Sequence, residues 1–180
     1  EPTNWMSFFA GSAWAFDEAS GEYYLHLFSR RQPDLNWENP AVREAVYAMM
    51  NRWLDRGVDG FRVDVAHGLV KAVGLPDHVP ALGASGEPVP SSSPTAASPF
   101  FDQDGVHEIY REWRRILDAY PGERILVAEA WVEPLERLFR YVRADEMDQA
   151  FNFTFLMAGW DAPGLARAIE GTFAAAAEVG

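Results

Sequence analysis

The sequence contains no cysteine, which excludes disulfides, thiolate-bound zinc and a thiol nucleophile together. It also favours a reducing compartment, so the cytoplasm is the expected location. No run approaches the roughly 18 apolar residues that a membrane span needs, and no signal or transit pattern is visible at the N terminus. Lysine is nearly absent, with Lys71 alone beside fourteen arginines. Acidic residues outnumber basic ones 27 to 15, for a net charge of −12. Such a surface repels phosphate backbones and anionic headgroups, so neither nucleic acid nor a membrane is an expected partner, whereas a neutral substrate is indifferent to it. The four histidines lack metal-ligand spacing, and neither a metal nor a cofactor is expected. The chain opens on Glu1 rather than Met, which suggests a piece of a longer protein.

What is present is apolar and aromatic. The 180 residues are 48% hydrophobic and include seven tryptophans, enough for one domain with a proper core. Residues 1–28 are rich in aromatics and glycine and read as irregular structure with small strands, one of them at Tyr24, His26 and Phe28. The spacing then predicts a helix, with Asn39 as cap, Pro40 at its first position, Val42, Val46, Met49, Met50, Trp53 and Leu54 along one face, and Gly57 as its stop. Residues 58–66 read as a strand. Residues 76–99 hold six of the twelve prolines and no periodicity, the composition of a long flexible loop. A second helix opens near Asp104, a second strand covers 124–131, and a third helix begins at Pro134. A third strand is expected at 149–157 and a last helix from 161 to 178. Alternation of this kind argues for parallel strands with helices outside, in an open sheet or a barrel.

Two acidic residues stand where such folds put chemistry. On a strand, Gly60, Arg62 and Asp64 share one face while Phe61 and Val63 share the other, so the arginine and the carboxylate face away from the helices, near the C-terminal end of the strand. The structural alternative is a plain Arg–Asp ion pair, though a buried one is expensive in desolvation. Glu129 ends the next strand between Ala128 and Ala130, small neighbours that leave room for a substrate. Buried Ile125, Leu126 and Val127 are expected to make its surroundings apolar and suit it to act as an acid. Neighbouring parallel strands lie about 4.8 Å apart, so two such carboxyls can approach to about 5–5.5 Å, the spacing of retaining glycoside hydrolysis.

These residues also resemble a known family. Gly60-Phe61-Arg62-Val63-Asp64-Val65-Ala66 is similar to the nucleophile strand of the α-amylase family of glycoside hydrolases, and Val127-Ala128-Glu129-Ala130-Trp131 to its acid/base strand. Gln32-Pro33-Asp34-Leu35-Asn36 resembles a motif of the α-glucosidase and oligo-1,6-glucosidase branch. The resemblance runs along the whole chain. It implies an α/β fold, part of a (β/α)8 TIM barrel comprising strands 4 to 6 with flanking helices, in residues 29–180. Residues 1–28 would be the tail of a small inserted domain. It implies that Asp64 attacks the anomeric carbon, that Glu129 protonates the leaving oxygen and later activates water, and that Arg62 orients Asp64. His67 is implied to contact the leaving-group side of the substrate, with a place behind the substrate-contacting residues or at the edge of the core as the alternative. His107, near a helix start, reads as a capping-region residue rather than a ligand, and the aromatics of 1–28 read as packing, with a sugar-stacking wall as their alternative.

The expected activity is release of terminal glucose from short, maltose-like oligosaccharides. The alternatives are a trehalose-forming isomerase or transglycosylase of the same family and, further off, a non-catalytic ancillary subunit of a transporter. The residue after the nucleophile bears on linkage: Val65 points to α-1,6 bonds in some relatives, while Val65-Ala66-His67-Gly68 together favour α-1,4. The 76–99 loop, following the nucleophile strand, is expected at the mouth of the pocket. The family's third carboxylate, in an Asn-His-Asp run after the seventh strand, does not occur in this sequence. The 180-residue chain alone should therefore not hydrolyse p-nitrophenyl α-glucoside, and measurable turnover by it would overturn this reading.

Overall fold

Beyond residue 59, each pair of neighbouring strands is separated by a helix-bearing connection long enough to return the chain to the same edge, which parallel pairing requires. The computed structural model describes residues 1–79 and 98–179, with the Val179 side chain left out, so most of the loop expected at 76–99 lies outside the described residues. A short antiparallel hairpin, β1 (Trp14–Asp17) and β2 (Glu22–Leu25), comes first. Helix α1 (Pro40–Leu54) follows, with the Asn39 side chain accepting from the Ala41 amide and Pro40 at the start, then β3 (Gly60–Val63) and helix α2 (Val106–Asp118). After these come β4 (Ile125–Ala128), α3 (Leu135–Phe139), β5 (Gln149–Ala150), the single turn α4 (Phe153–Leu156) and α5 (Ala162–Val179).

Strands β3, β4 and β5 form one parallel sheet in that order, with Val63 opposite Ala128 and Ala128 opposite Ala150. Among the described residues the sheet has three strands and does not close. Gly60 is required where β3 meets β4, because a Cβ there would lie 1.9 Å from the Ile125 carbonyl oxygen. The main core packs α1 and α2 on one side of the sheet around Val63, Leu126, Ala128, Ile109, Tyr110 and Leu117. A second cluster, Trp5, Ala13, Trp14 and Leu27, joins residues 1–28 to Phe100.

Three expectations about the strands need correction. The strand expected at 58–66 stops at Val63, because Val65 adopts a left-handed conformation. The run Ile125–Val127 is not uniformly buried: Leu126 is fully enclosed while Ile125 is 43% exposed, since alternate residues face the open side of the sheet. The strand expected at 149–157 has two residues, because Asn152 accepts a hydrogen bond from the Phe155 amide at 2.9 Å and turns the chain into α4.

Leu126→Ala should destabilise the protein by about 2–5 kcal/mol, the cost of an unfilled cavity in a core. Ile125→Ala beside it, in the 180-residue chain where this face is open, should cost less than about 1 kcal/mol. Urea unfolding of both variants checks this, and equal losses would contradict the alternation.

Candidate active site

The ladder between β3 and β4 runs one step past the strands and then loses register. The Glu129 amide donates to the Val63 carbonyl at 2.9 Å. A regular parallel ladder would next bond the Val65 amide to the Glu129 carbonyl. Instead the Ala66 amide takes that carbonyl at 2.8 Å, leaving Val65 as an extra residue with φ +45°. This is a β-bulge. A β-branched residue in the left-handed region is uncommon and costs on the order of 1–3 kcal/mol. The bulge frees the Val65 amide, which donates to Oε2 of Glu129 at 3.0 Å.

Asp64 and Glu129 thus extend from adjacent strands at their C-terminal ends, and a single guanidinium reaches both. Arg62 Nη1 lies 2.8 Å from Asp64 Oδ1, and its Nη2 lies 3.3 Å from Glu129 Oε2. The Arg62 and Asp64 side chains are 50% and 70% exposed. They are therefore not a buried ion pair, and an exposed pair of this kind adds only about 0–1 kcal/mol of stability. The Glu129 side chain is 17% exposed. Its environment is also not the apolar wall expected from Ile125 to Val127. Its carboxyl is met by donors: the Val65 amide, the Arg62 guanidinium, and Trp131 Nε1 at 3.2 Å from Oε1.

Reasoning from the sequence gives Trp131 no role of its own. It lies two residues beyond Glu129 and so on the same side of the chain, which is the signal that could have found it. It stacks on Phe153 with ring centroids 3.6 Å apart, and Phe151 lies 5.6 Å from the Arg62 guanidinium. An aromatic surface therefore flanks the glutamate on the side of β5, of the kind on which a sugar face can pack.

The structure places His67 in a short 3-10 turn, Ala66–Gly68, just after Asp64. The residue is buried, only 4% exposed, and the ring lies 4.4 Å from that of Phe101. Among the described residues its Nδ1 has no hydrogen-bond partner. Burial pushes its imidazole down to about 4; the Asp102 carboxylate opposes this and the Lys71 ammonium adds to it. His107 stands in the first turn of α2, as expected, and its side chain bonds elsewhere. It is buried and its Nδ1 lies 2.7 Å from Glu146 Oε2, with Arg111 on the other carboxylate oxygen at 3.0 Å. Gln32-Pro33-Asp34-Leu35-Asn36 does not meet the carboxylate pair. Asp34 accepts from the Leu27 amide and from Lys71, both at 2.8 Å, and Lys71 also bonds the Gly68 carbonyl. This segment borders a cavity of about 510 Å³ beside the hairpin, lined among others by Trp14, Tyr24, Trp37 and Lys71.

A parallel sheet with helices packed against it and charged side chains gathered at the C-terminal ends of neighbouring strands has the site layout of an α/β fold. The model of the α-amylase catalytic domain matches residues 1–175 of the chain. The oligo-1,6-glucosidase of Halalkalibacterium halodurans is 42% identical over 154 residues, covering 85% of this chain and 26% of that protein. The α-glucosidase of Pediococcus pentosaceus is 42% identical over 159 residues, covering 86% and 26%. Among solved structures, the trehalulose synthase of Pseudomonas mesoacidophila superposes with a TM-score of 0.80 at 30% identity, covering 100% of this chain and 33% of that one. The chain belongs to the α-amylase catalytic-domain family. It spans 26% of the length of the glucosidases it matches.

The depressed His67 sets an acid limit on stability. The unfolded chain takes up a proton on this residue below about pH 6.5 while the folded chain resists until about 4, so folding loses stability as pH falls through that window. The loss should reach about 3 kcal/mol by pH 4, and His67→Leu should flatten that part of the stability curve. Denaturant melts at pH 7, 5.5 and 4.5 check it; identical slopes in the two proteins would overturn it.

Proposed function

We propose that this chain is the part of a retaining α-glucosidase that carries the nucleophile, Asp64, and the general acid/base, Glu129. The observation that carries the reading is the Arg62 guanidinium reaching both carboxylates at the ends of adjacent strands, which brings two acids to one site as a double displacement requires. The glucosidases among the relatives support the same class of reaction.

In the first step Asp64 attacks the anomeric carbon of the terminal glucose as Glu129 gives its proton to the departing glycosidic oxygen, so the C–O bond breaks and a glucosyl ester forms on Asp64. In the second, Glu129 takes a proton from water, the oxygen attacks the same carbon, and Asp64 leaves with its electron pair. Glucose emerges with its α configuration. Arg62 keeps Asp64 aimed, and Trp131 holds Glu129. Residues 29–180 would supply strands 4 to 6 of a (β/α)8 barrel and residues 1–28 the end of an inserted domain. His67, buried behind Asp64, would support the turn; its position argues against contact with the leaving group. Short maltose-like oligosaccharides are the proposed substrates.

A second reading is favoured by the likeness to a trehalulose synthase: an isomerase or transglycosylase that forms the same ester and passes the glucosyl group to a sugar hydroxyl instead of water.

In the longer protein, Asp64→Asn and Glu129→Gln should each lower kcat for p-nitrophenyl α-glucoside by at least about 10³-fold. The first sugar product, followed by NMR, should be the α anomer. A β anomer at first appearance, or activity within about 10-fold of wild type in either variant, would sink the assignment. Product analysis separates the two readings: glucose alone from maltose indicates hydrolysis, and a new disaccharide from sucrose or maltose indicates transfer.

A further inference from the structure

The bulge that follows Asp64 needs something to hold it, because Val65 left to itself prefers extended backbone. Helix α2 supplies a candidate. Tyr110 is fully buried, and its hydroxyl donates to the carbonyl of Ala66. The ring is fixed by Trp113, 5.4 Å away, and Tyr141, 6.0 Å away. Burial raises the Tyr110 hydroxyl far above the usual phenol range, and the Glu146 charge pushes the same way, so the group stays protonated and can only be a neutral donor to a carbonyl. Ala66 is fully enclosed and held at both ends of its residue: its amide by the Glu129 carbonyl on β4, its carbonyl by Tyr110 on α2.

We propose that Tyr110 is a positioning residue for Asp64 and Glu129, acting through Ala66 to keep Val65 in the left-handed conformation. This rests on the assignment of Asp64 as nucleophile and deepens it. Without the hydroxyl, the buried Ala66 carbonyl loses its partner and the turn gains by relaxing to a regular ladder, in which the Val65 amide bonds the Glu129 main-chain carbonyl. That relaxation withdraws the amide from the Glu129 carboxylate and rotates Asp64 away from its place beside Arg62. Both reacting groups are displaced by one event, while groups that bind the rest of the sugar stay where they are.

The test is Tyr110→Phe in the full-length enzyme, made once with Val65 and once with Val65→Gly, since glycine adopts a positive φ at little cost. With Val65 present, the variant should lose on the order of 10-fold in kcat, as expected for a misplaced reacting group, with KM within about 2-fold. In the Val65→Gly background the same substitution should cost less than about 3-fold, because the turn no longer needs the clamp. Unchanged kcat with Val65, equal losses in both backgrounds, or a Tyr110→Phe protein that fails to fold in either would each overturn the proposal. Trapping the wild-type enzyme with 5-fluoro-α-glucosyl fluoride, followed by peptide mass spectrometry, tests the underlying assignment separately. A label on another carboxylate defeats the nucleophile reading itself. A label on Asp64 beside unaltered Tyr110→Phe kinetics defeats only the positioning role.

Discussion

The extra residue just after β3 is the constraint around which the site is arranged. Were the ladder regular, the Val65 amide would be spent on the Glu129 main chain. Because Ala66 takes that bond instead, one backbone donor is turned out of the sheet plane and onto a carboxylate of the neighbouring strand. The donor costs no side-chain entropy to hold, since its orientation is fixed by the bonds on either side of it. The cost falls on Val65, whose φ of +45° is one a β-branched residue avoids. Strain of this kind persists only where the surroundings over-determine it, and here they do: β4 holds the Ala66 amide and α2 its carbonyl.

The polar side chains behind the site follow the same logic of fixed partners. Asp102, itself at a positive φ, donates its amide to the His67 carbonyl and places its carboxylate against Arg137 and Tyr141. Glu146, fully enclosed, is matched by His107 and Arg111. Lys71 ties Asp34 to the Gly68 carbonyl, which fastens the segment after the hairpin to the turn after the proposed nucleophile. Each charge taken out of water keeps a charged or carbonyl partner, as desolvation demands. The turn from Ala66 to Gly68 is thus held from three directions: by β4 through the Ala66 amide, by α2 through Tyr110, and by the chain around Asp34 through Lys71.

Much of this is legible in the sequence where the pattern is local. The cap and stop of α1, the apolar face of α2 and the order of helices and strands all depend on residues close together in the chain, and all stand in the structure. Arg62, Asp64 and Glu129 come together as strand alternation and parallel pairing require. What cannot be read depends on one residue more or fewer. Nothing in Val65-Ala66 marks a bulge, since valine is the last residue one would choose for a left-handed position. The strand at 149 reads too long because Phe151, Phe153 and Phe155 alternate as a strand would, while a single Asn152 side chain suffices to turn them into a helix. The partner of His107 is hidden for a similar reason: Glu146 is 39 residues away, and no local pattern announces it.

The open face of the sheet bears on how the site is completed. The residues that point the same way as Asp64 and Glu129 are exposed or half-exposed, among them Ile125, Val127 and Phe151, while the opposite face is sealed by helices. Apolar groups such as Ile125 and Phe151 gain by burial at about 25 cal/mol per Å², so a protein that keeps this sheet gains by covering that face. A covering that sealed the strand ends as well would strand Arg62 and Asp64 without water or substrate. A covering that sealed only the middle of the sheet would bury Ile125 and leave the carboxylates at the rim of a pocket. The second satisfies both the apolar and the charged residues of the same face, and it is what a closed barrel with its site at the C-terminal ends of the strands provides. The alternation along β4 therefore encodes two layers on one face: Ile125 and Val127, which ask for closure, and above them Glu129, which with Asp64 asks for an opening.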